Sequence, residues 1–198
     1  IAAAMVRGYQ GDDLSKDNTI LSCAKHFIAY GAAQAGRDYH TVDISERELR
    51  DTYLPPFKAA IDAGAATVMS AFNEYDGVPC TANSFLMRDL LRKEMGFKGF
   101  VVSDYTAVKE LIAHGVAGND EEAASLGMNA GVNMCMVDNL YLFHGEKLVK
   151  EGVVREETVN ELCAEILTMK YKLGLFDDPY RYGSEEKEKS TIFNESNL

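Results

Sequence analysis

The stretch "GFVVSDY", residues 99–105, ends an unbroken apolar run in an aspartate and an aromatic residue. A carboxylate at the end of a buried strand can cap the next helix or work as a nucleophile, and spacing alone leaves Asp104 open to both. Three more apolar runs end in groups that can do chemistry. "LSCAKHF" closes on Lys25 and His26, "ATVMSAF" on Ser70 and Phe72 with Asn73 next, and "GVNMCM" ends near Asn133 and Asp138. A carboxylate, an ammonium, an imidazole and aromatic rings at one rim suit a polyhydroxylated ligand: charged groups bond hydroxyls strongly, and aromatic faces pack on sugar rings. Taken singly, each residue also has a structural reading. Lys25 reads as a solvated strand end, His26 as a core histidine, Phe72 and Tyr105 as packing, Glu74 and Asp76 of "NEYDG" as turn residues, and "GRDYH" as a surface loop with an ion pair.

The elements that must position these groups follow from periodicity. The four apolar runs, Leu21 to Phe27, Ala66 to Phe72, Gly99 to Asp104 and Gly131 to Met136, have strand character, and a helical pattern follows each. Ser45 and Glu48 form an S-x-x-E capping box before a helix that Pro55 and Pro56 are expected to break or kink and that Gly64 ends. Asn83 and Gly96 bracket the next helix, whose Leu86, Leu90 and Leu91 share a face; "AVKELIAHG" and "DEEAASLGMNAG" read as two short helices. Val159, Leu162, Cys163, Ile166 and Leu173 recur at helical spacing in the last long helix. Apolar strands alternating with helices describe an α/β fold with a parallel sheet of βα units, either doubly wound or a (β/α)8 barrel. In such folds function gathers where strands end. No phosphate-binding glycine motif follows any strand, which lowers the nucleotide-binding version. Four strands are too few for a complete barrel of about 250 residues. Past "LGLFDDPYRYG" the charged stretch "SEEKEKSTIFNESNL" reads as a linker or tail.

Composition narrows the function classes. The chain has 198 residues, 46% hydrophobic and 26% charged, with a formal net charge of -11. That charge argues against nucleic acid or an anionic membrane as partner. Cys23, Cys80, Cys135 and Cys163 are scattered singly among apolar neighbours and read as buried free thiols, with no metal or cofactor indicated. No apolar run has the length of a membrane span, and "IAAAMVRGYQ" lacks the features of a signal peptide and reads as internal.

Taken together, "KHF", "GRDYHTVDISERELRDTYLPPFKAAIDAG", "VMSAFNEYDGVPCTAN", "LLRKEMGFKGFVVSDY" and "KYKLGLFDDPYRY" resemble glycoside hydrolase family 3, in its β-glucosidase and β-xylosidase branch. The resemblance implies a retaining glycosidase acting on β-linked oligosaccharides or glucosides without a cofactor. This chain would be the C-terminal half of its (β/α)8 TIM-type barrel: residues 1–182 the barrel part, residues 183–198 a linker towards an α/β sandwich domain. The family nucleophile, the aspartate of an "SDW" or "SDY" motif, falls on Asp104. Lys25 and His26 match a pair that holds sugar hydroxyls; Phe72, with Met69 beside it, matches an aromatic position near the sugar; and Tyr105 stands where Trp is commoner. Residues on a regular strand alternate faces, so for Lys25 and His26 to share a pocket the backbone there must be irregular or contain a cis peptide. The acid/base, a glutamate of the second domain, and further binding residues of the other barrel half would lie outside this chain, leaving the fragment alone inactive. Periplasmic or secreted localisation follows by resemblance only. The β-N-acetylglucosaminidase branch is the nearest rival, with Asp38 and His40 at the spacing of its Asp-x-His pair, but "IAYG" stands where that branch has "PGHG". A non-catalytic sugar-binding module is the alternative from another class.

Overall fold

In the computed structural model, which describes residues 1–197, four parallel strands form one sheet. Helix α1 (Ala2–Gln10) precedes β1 (Cys23–Phe27), and a single helical run follows, made of α2 (Glu46–Glu48), a π-helical stretch (Leu49–Tyr53) and α3 (Leu54–Asp62). Strand β2 (Thr67–Ser70) leads into a hairpin of β3 (Glu74–Tyr75) and β4 (Val78–Pro79), then a second π-helical stretch (Phe85–Glu94). Strand β5 (Phe100–Tyr105) is followed by α4 (Asp120–Ala130), β6 (Met134–Met136), α5 (Leu140–Lys150), α6 (Glu156–Lys172) and α7 (Glu185–Thr191). The order β1-β2-β5-β6, every pair parallel, is the arrangement of half a (β/α)8 barrel.

Local chemistry explains the boundaries. Ser45 Oγ accepts from Glu48 N (3.2 Å), the first half of the expected capping box. Asn83 Oδ1 accepts from Leu86 N (3.1 Å), and Gly64 and Gly96 end their helices at positive φ. The two prolines do not break their helix. They sit in its α3 portion just after a wide π turn; the run re-forms there, where proline's missing N–H is tolerated. "AVKELIAHG" forms only the 3-10 turn Lys109–Leu111 in place of the expected helix. Residues 183–197 contain α7, which is capped by Ser184 and held to the 12–19 loop through Lys187 and Asp17 (3.4 Å).

One sheet face is sealed: Val68 and Val101 are fully buried in a core with Leu49, Leu86, Leu90 and Leu91. A second core, Val108, Leu111, Leu140, Leu148 and Leu162, ties α4, α5 and α6 together. The opposite face carries Thr67, Met69, Phe100 and Val102, and Cys23 and Met134 at its edges are exposed. This openness corrects the reading of four buried thiols: Cys80 is buried and Cys135 half-buried, but Cys23 and Cys163 are exposed.

Between β5 and β6 lies a buried polar tie. Arg92 pairs with Glu165 and donates to Asn133 Oδ1 (2.9 Å), while Asn133 Nδ2 donates to Glu165 (2.6 Å) and Val101 N donates to Asn133 Oδ1 (2.7 Å). Burial pushes the Arg92 pKa down and that of Glu165 up, so desolvation outweighs pairing on both partners. The tie therefore fixes the strand that carries Asp104 more than it adds net stability.

Candidate active site at the strand ends

Asp104, the last residue of β5 but one, is almost fully buried. Its Oδ1 accepts from Tyr105 N (2.7 Å), and its Oδ2 lies 3.3 Å from His26 Nε2 at the end of β1. The carboxylate is therefore not the cap of the following turn. That role falls to its backbone carbonyl, which accepts from Ala107 N (3.1 Å). The chain then swings away at Thr106, whose φ is +53°, so the carboxylate stays at the rim. Ser103 secures the backbone on either side: its hydroxyl donates to Asp104 O (2.8 Å) and accepts from Met136 N (2.9 Å).

On β1 the pairing slips, Ala24 lying opposite Val68 and Phe27 opposite Ser70, so three steps of one strand match two of the other. The Lys25–His26 peptide bond is cis, as is Phe27–Ile28, matching the irregular backbone expected there. His26 is half-buried, and burial lowers its pKa, with the Asp104 charge opposing and the Lys25 charge assisting. The imidazole Nε2 therefore faces Asp104 Oδ2 at 3.3 Å from a partly desolvated position. One oxygen held by a backbone amide and the other facing an imidazole leave an oriented carboxylate in a half-sealed site, suited to attack or to stabilising positive charge.

Phe72 stands beside this pair in a row of rings. His26 meets Tyr30 (centroids 5.4 Å), Tyr30 meets Phe72 (6.2 Å), and Phe72 meets Tyr39 (4.3 Å). Tyr105 is 57% exposed, an open aromatic surface next to Asp104. Lys25 is exposed, and Met69 is buried on the open face of β2; no hydrogen bond joins either to Asp104 among the described residues. Asn133 belongs to the polar tie behind β5 rather than to the rim.

Several neighbours escaped the sequence reading. Glu74 is a strand residue, not a turn residue: it accepts from Thr41 Oγ1 (2.9 Å) and meets His114 Nδ1 (3.2 Å). In "GRDYH" the expected ion pair is not made among the described residues, and Tyr39 packs its ring on Phe72. Glu110 accepts from Thr106 Oγ1 (3.1 Å), and burial, then the charges of Asp104 and Asp38, raise its pKa. A single chain carries no signal for such pairs, 33 to 40 residues apart. A groove of about 700 Å³ between α4, α5 and α6 is lined by Asn133 but by none of Asp104, His26, Phe72 and Tyr105.

Residues 1–169 match the model of the glycosyl hydrolase family 3 N terminal domain. The chain belongs to glycosyl hydrolase family 3. It is 42% identical over 195 residues to a periplasmic beta-glucosidase of Salmonella typhimurium, a match covering 98% of this chain and 26% of that protein. A beta-xylosidase of Formosa agariphila is 38% identical over 204 residues, covering 96% of this chain and 28% of the relative. Among solved structures, a mutant beta-glucosidase from Listeria innocua in complex with laminaribiose superposes with a TM-score of 0.94 at 45% identity, covering 98% of this chain and 27% of that one. The chain thus spans about a quarter of the length of the relatives it matches. As a member of this family it is α/β, built of parallel βα units of the TIM-barrel type.

Proposed function

We propose that this chain is the nucleophile-bearing part of a retaining β-glucosidase, working within a longer polypeptide. In this reading Asp104 attacks the anomeric carbon of a β-glucoside. The bond from that carbon to the leaving-group oxygen breaks as the oxygen takes a proton from an acid elsewhere in the polypeptide, and water then releases glucose from the glycosyl-enzyme. His26 orients Asp104 and, with Lys25, holds hydroxyls of the sugar; Phe72, Met69 and Tyr105 line its apolar faces. The observation that carries the reading is the buried Asp104 carboxylate at the rim of the sheet, one oxygen accepting from Tyr105 N and the other 3.3 Å from His26 Nε2. A capping or packing aspartate has no need of that arrangement, and a binding module has no need of an oriented anion.

Retaining chemistry uses two carboxyl groups about 5 to 5.5 Å apart. We assign the second to a domain beyond the barrel, with residues 1–182 as the barrel part, 183–198 leading towards that domain, and the chain by itself inactive. Periplasmic or secreted placement is supported by the name of the Salmonella relative. The beta-xylosidase relative makes xylosides the second substrate class to test. Turnover of chromogenic β-glucoside, β-xyloside and β-N-acetylglucosaminide by the full-length protein decides among them: glucoside first is the expected order, and turnover of the N-acetylglucosaminide alone refutes the reading.

A further inference from the structure

Tyr39 adopts a backbone conformation that its own side chain disfavours. Its φ is +64°, in the left-handed region, where a bulky residue persists only if its surroundings impose it. Those surroundings are specific. Gln34 N donates to Thr41 O (3.1 Å) and Val42 N to Glu74 O (3.1 Å), closing the loop against β3. The Thr41–Glu74–His114 bonds then tie it to the segment that follows Asp104. The tyrosine ring is set on Phe72 at 45° yet stays 42% exposed, so packing alone does not account for its placement. Burial, then the charges of Glu110, Asp38 and Asp104, raise the pKa of its hydroxyl. From His26, beside Asp104, the rings step through Tyr30 and Phe72 to Tyr39, a path longer than one sugar ring.

We infer that Tyr39 is a specificity-determining residue of this site, its ring packing against the ring of the leaving group that departs from a β-glucoside. The inference rests on Asp104 being the nucleophile of a β-glucosidase. With the reacting sugar held at His26 and Asp104, the far end of the aromatic row meets the next ring of the substrate. An exposed, preset tyrosine supplies an apolar face for that ring and a hydroxyl for its edge at little ordering cost.

Tyr39→Ala and Tyr39→Phe in the full-length protein, assayed on laminaribiose and on β-glucosyl fluoride, test it. The fluoride substrate has no leaving-group ring. Losing one aromatic contact is expected to lower kcat/KM on laminaribiose about tenfold, chiefly through KM, for Tyr39→Ala, and to leave the fluoride within about twofold. Tyr39→Phe keeps most of the disaccharide activity, and the unchanged fluoride rate certifies the fold. Equal losses on both substrates, or none on either, overturn the inference. A wild-type protein that turns over neither substrate refutes the β-glucosidase reading itself, and the Tyr39 inference with it.

Discussion

Gly99 begins the segment that carries Asp104, and a single methyl group there is enough to test how that strand is held. A Cβ at this position would lie 1.9 Å from Ala66 O, 2.7 Å from Ala66 C and 2.8 Å from Phe97 Cζ. Two of the three obstacles are backbone, so no rotamer change relieves them; β5 must move away from β2 by more than an ångström. That displacement breaks the Phe100 N to Ala66 O bond (3.3 Å) and loosens the pairing of Thr67, Val68 and Met69 with Phe100, Val101 and Val102. Overpacking against a rigid backbone sets the cost of Gly99→Ala at about 3 kcal/mol, a Tm fall of roughly 6–12 °C for a domain of this size. Gly96→Ala is the control. Gly96 has φ +74° but open space around its Cβ position, so the substitution meets only conformational strain of about 1–2 kcal/mol. Thermal unfolding followed by far-UV circular dichroism measures both. A Gly99→Ala protein within about 2 °C of wild type would refute the claim that close backbone approach fixes β5.

Three further outcomes follow from the same geometry. Asn133→Leu leaves Val101 N unpaired and removes one charge-assisted bond each from Arg92 and Glu165, and is expected to lower stability to urea by about 3 kcal/mol; a loss below about 1 kcal/mol contradicts the buried tie. Cys80 is buried with its pKa pushed up to about 12 and Cys163 is exposed, so at pH 8 a disulfide reagent should label Cys163 in the native protein and Cys80 only in urea. Native labelling of Cys80 contradicts the buried assignment. The folded-state pKa of His26 is lowered, so between that value and about 6.5 the unfolded chain binds more protons and stability rises with pH. That contribution is fully present above about 6.5 and is lost as pH falls through the window; His26→Gln should flatten the pH dependence of urea stability there, and an unchanged slope refutes the assignment.

What the sequence made legible were the features with local causes. Apolar runs marked the four strands to within a few residues, and short-range chemistry at Ser45, Asn83 and Gly64 placed helix ends. The strand-end rule brought Asp104, His26 and Phe72 to one rim. Other features depend on contacts between distant segments. The pairing of Glu74 with Thr41 and His114 makes a strand residue of what reads locally as a turn. Pro55 and Pro56 are accommodated by a π turn upstream, which proline propensity alone does not indicate. The exposed Cys23 has apolar neighbours along the chain but lies on the open face of an edge strand. Tyr39 was hidden by a polar loop whose charged residues drew attention from the ring between them.

The central claim is that Asp104 is the nucleophile that forms a covalent glycosyl-enzyme, and trapping tests it most directly. The full-length protein treated with an activated 2-deoxy-2-fluoro-β-glucoside is digested and its peptides are mass-analysed. The account predicts a stoichiometric fluoroglucosyl ester on Asp104, in the peptide containing "GFVVSDY". An adduct on any other carboxylate, or none while substrate is still hydrolysed, would contradict it.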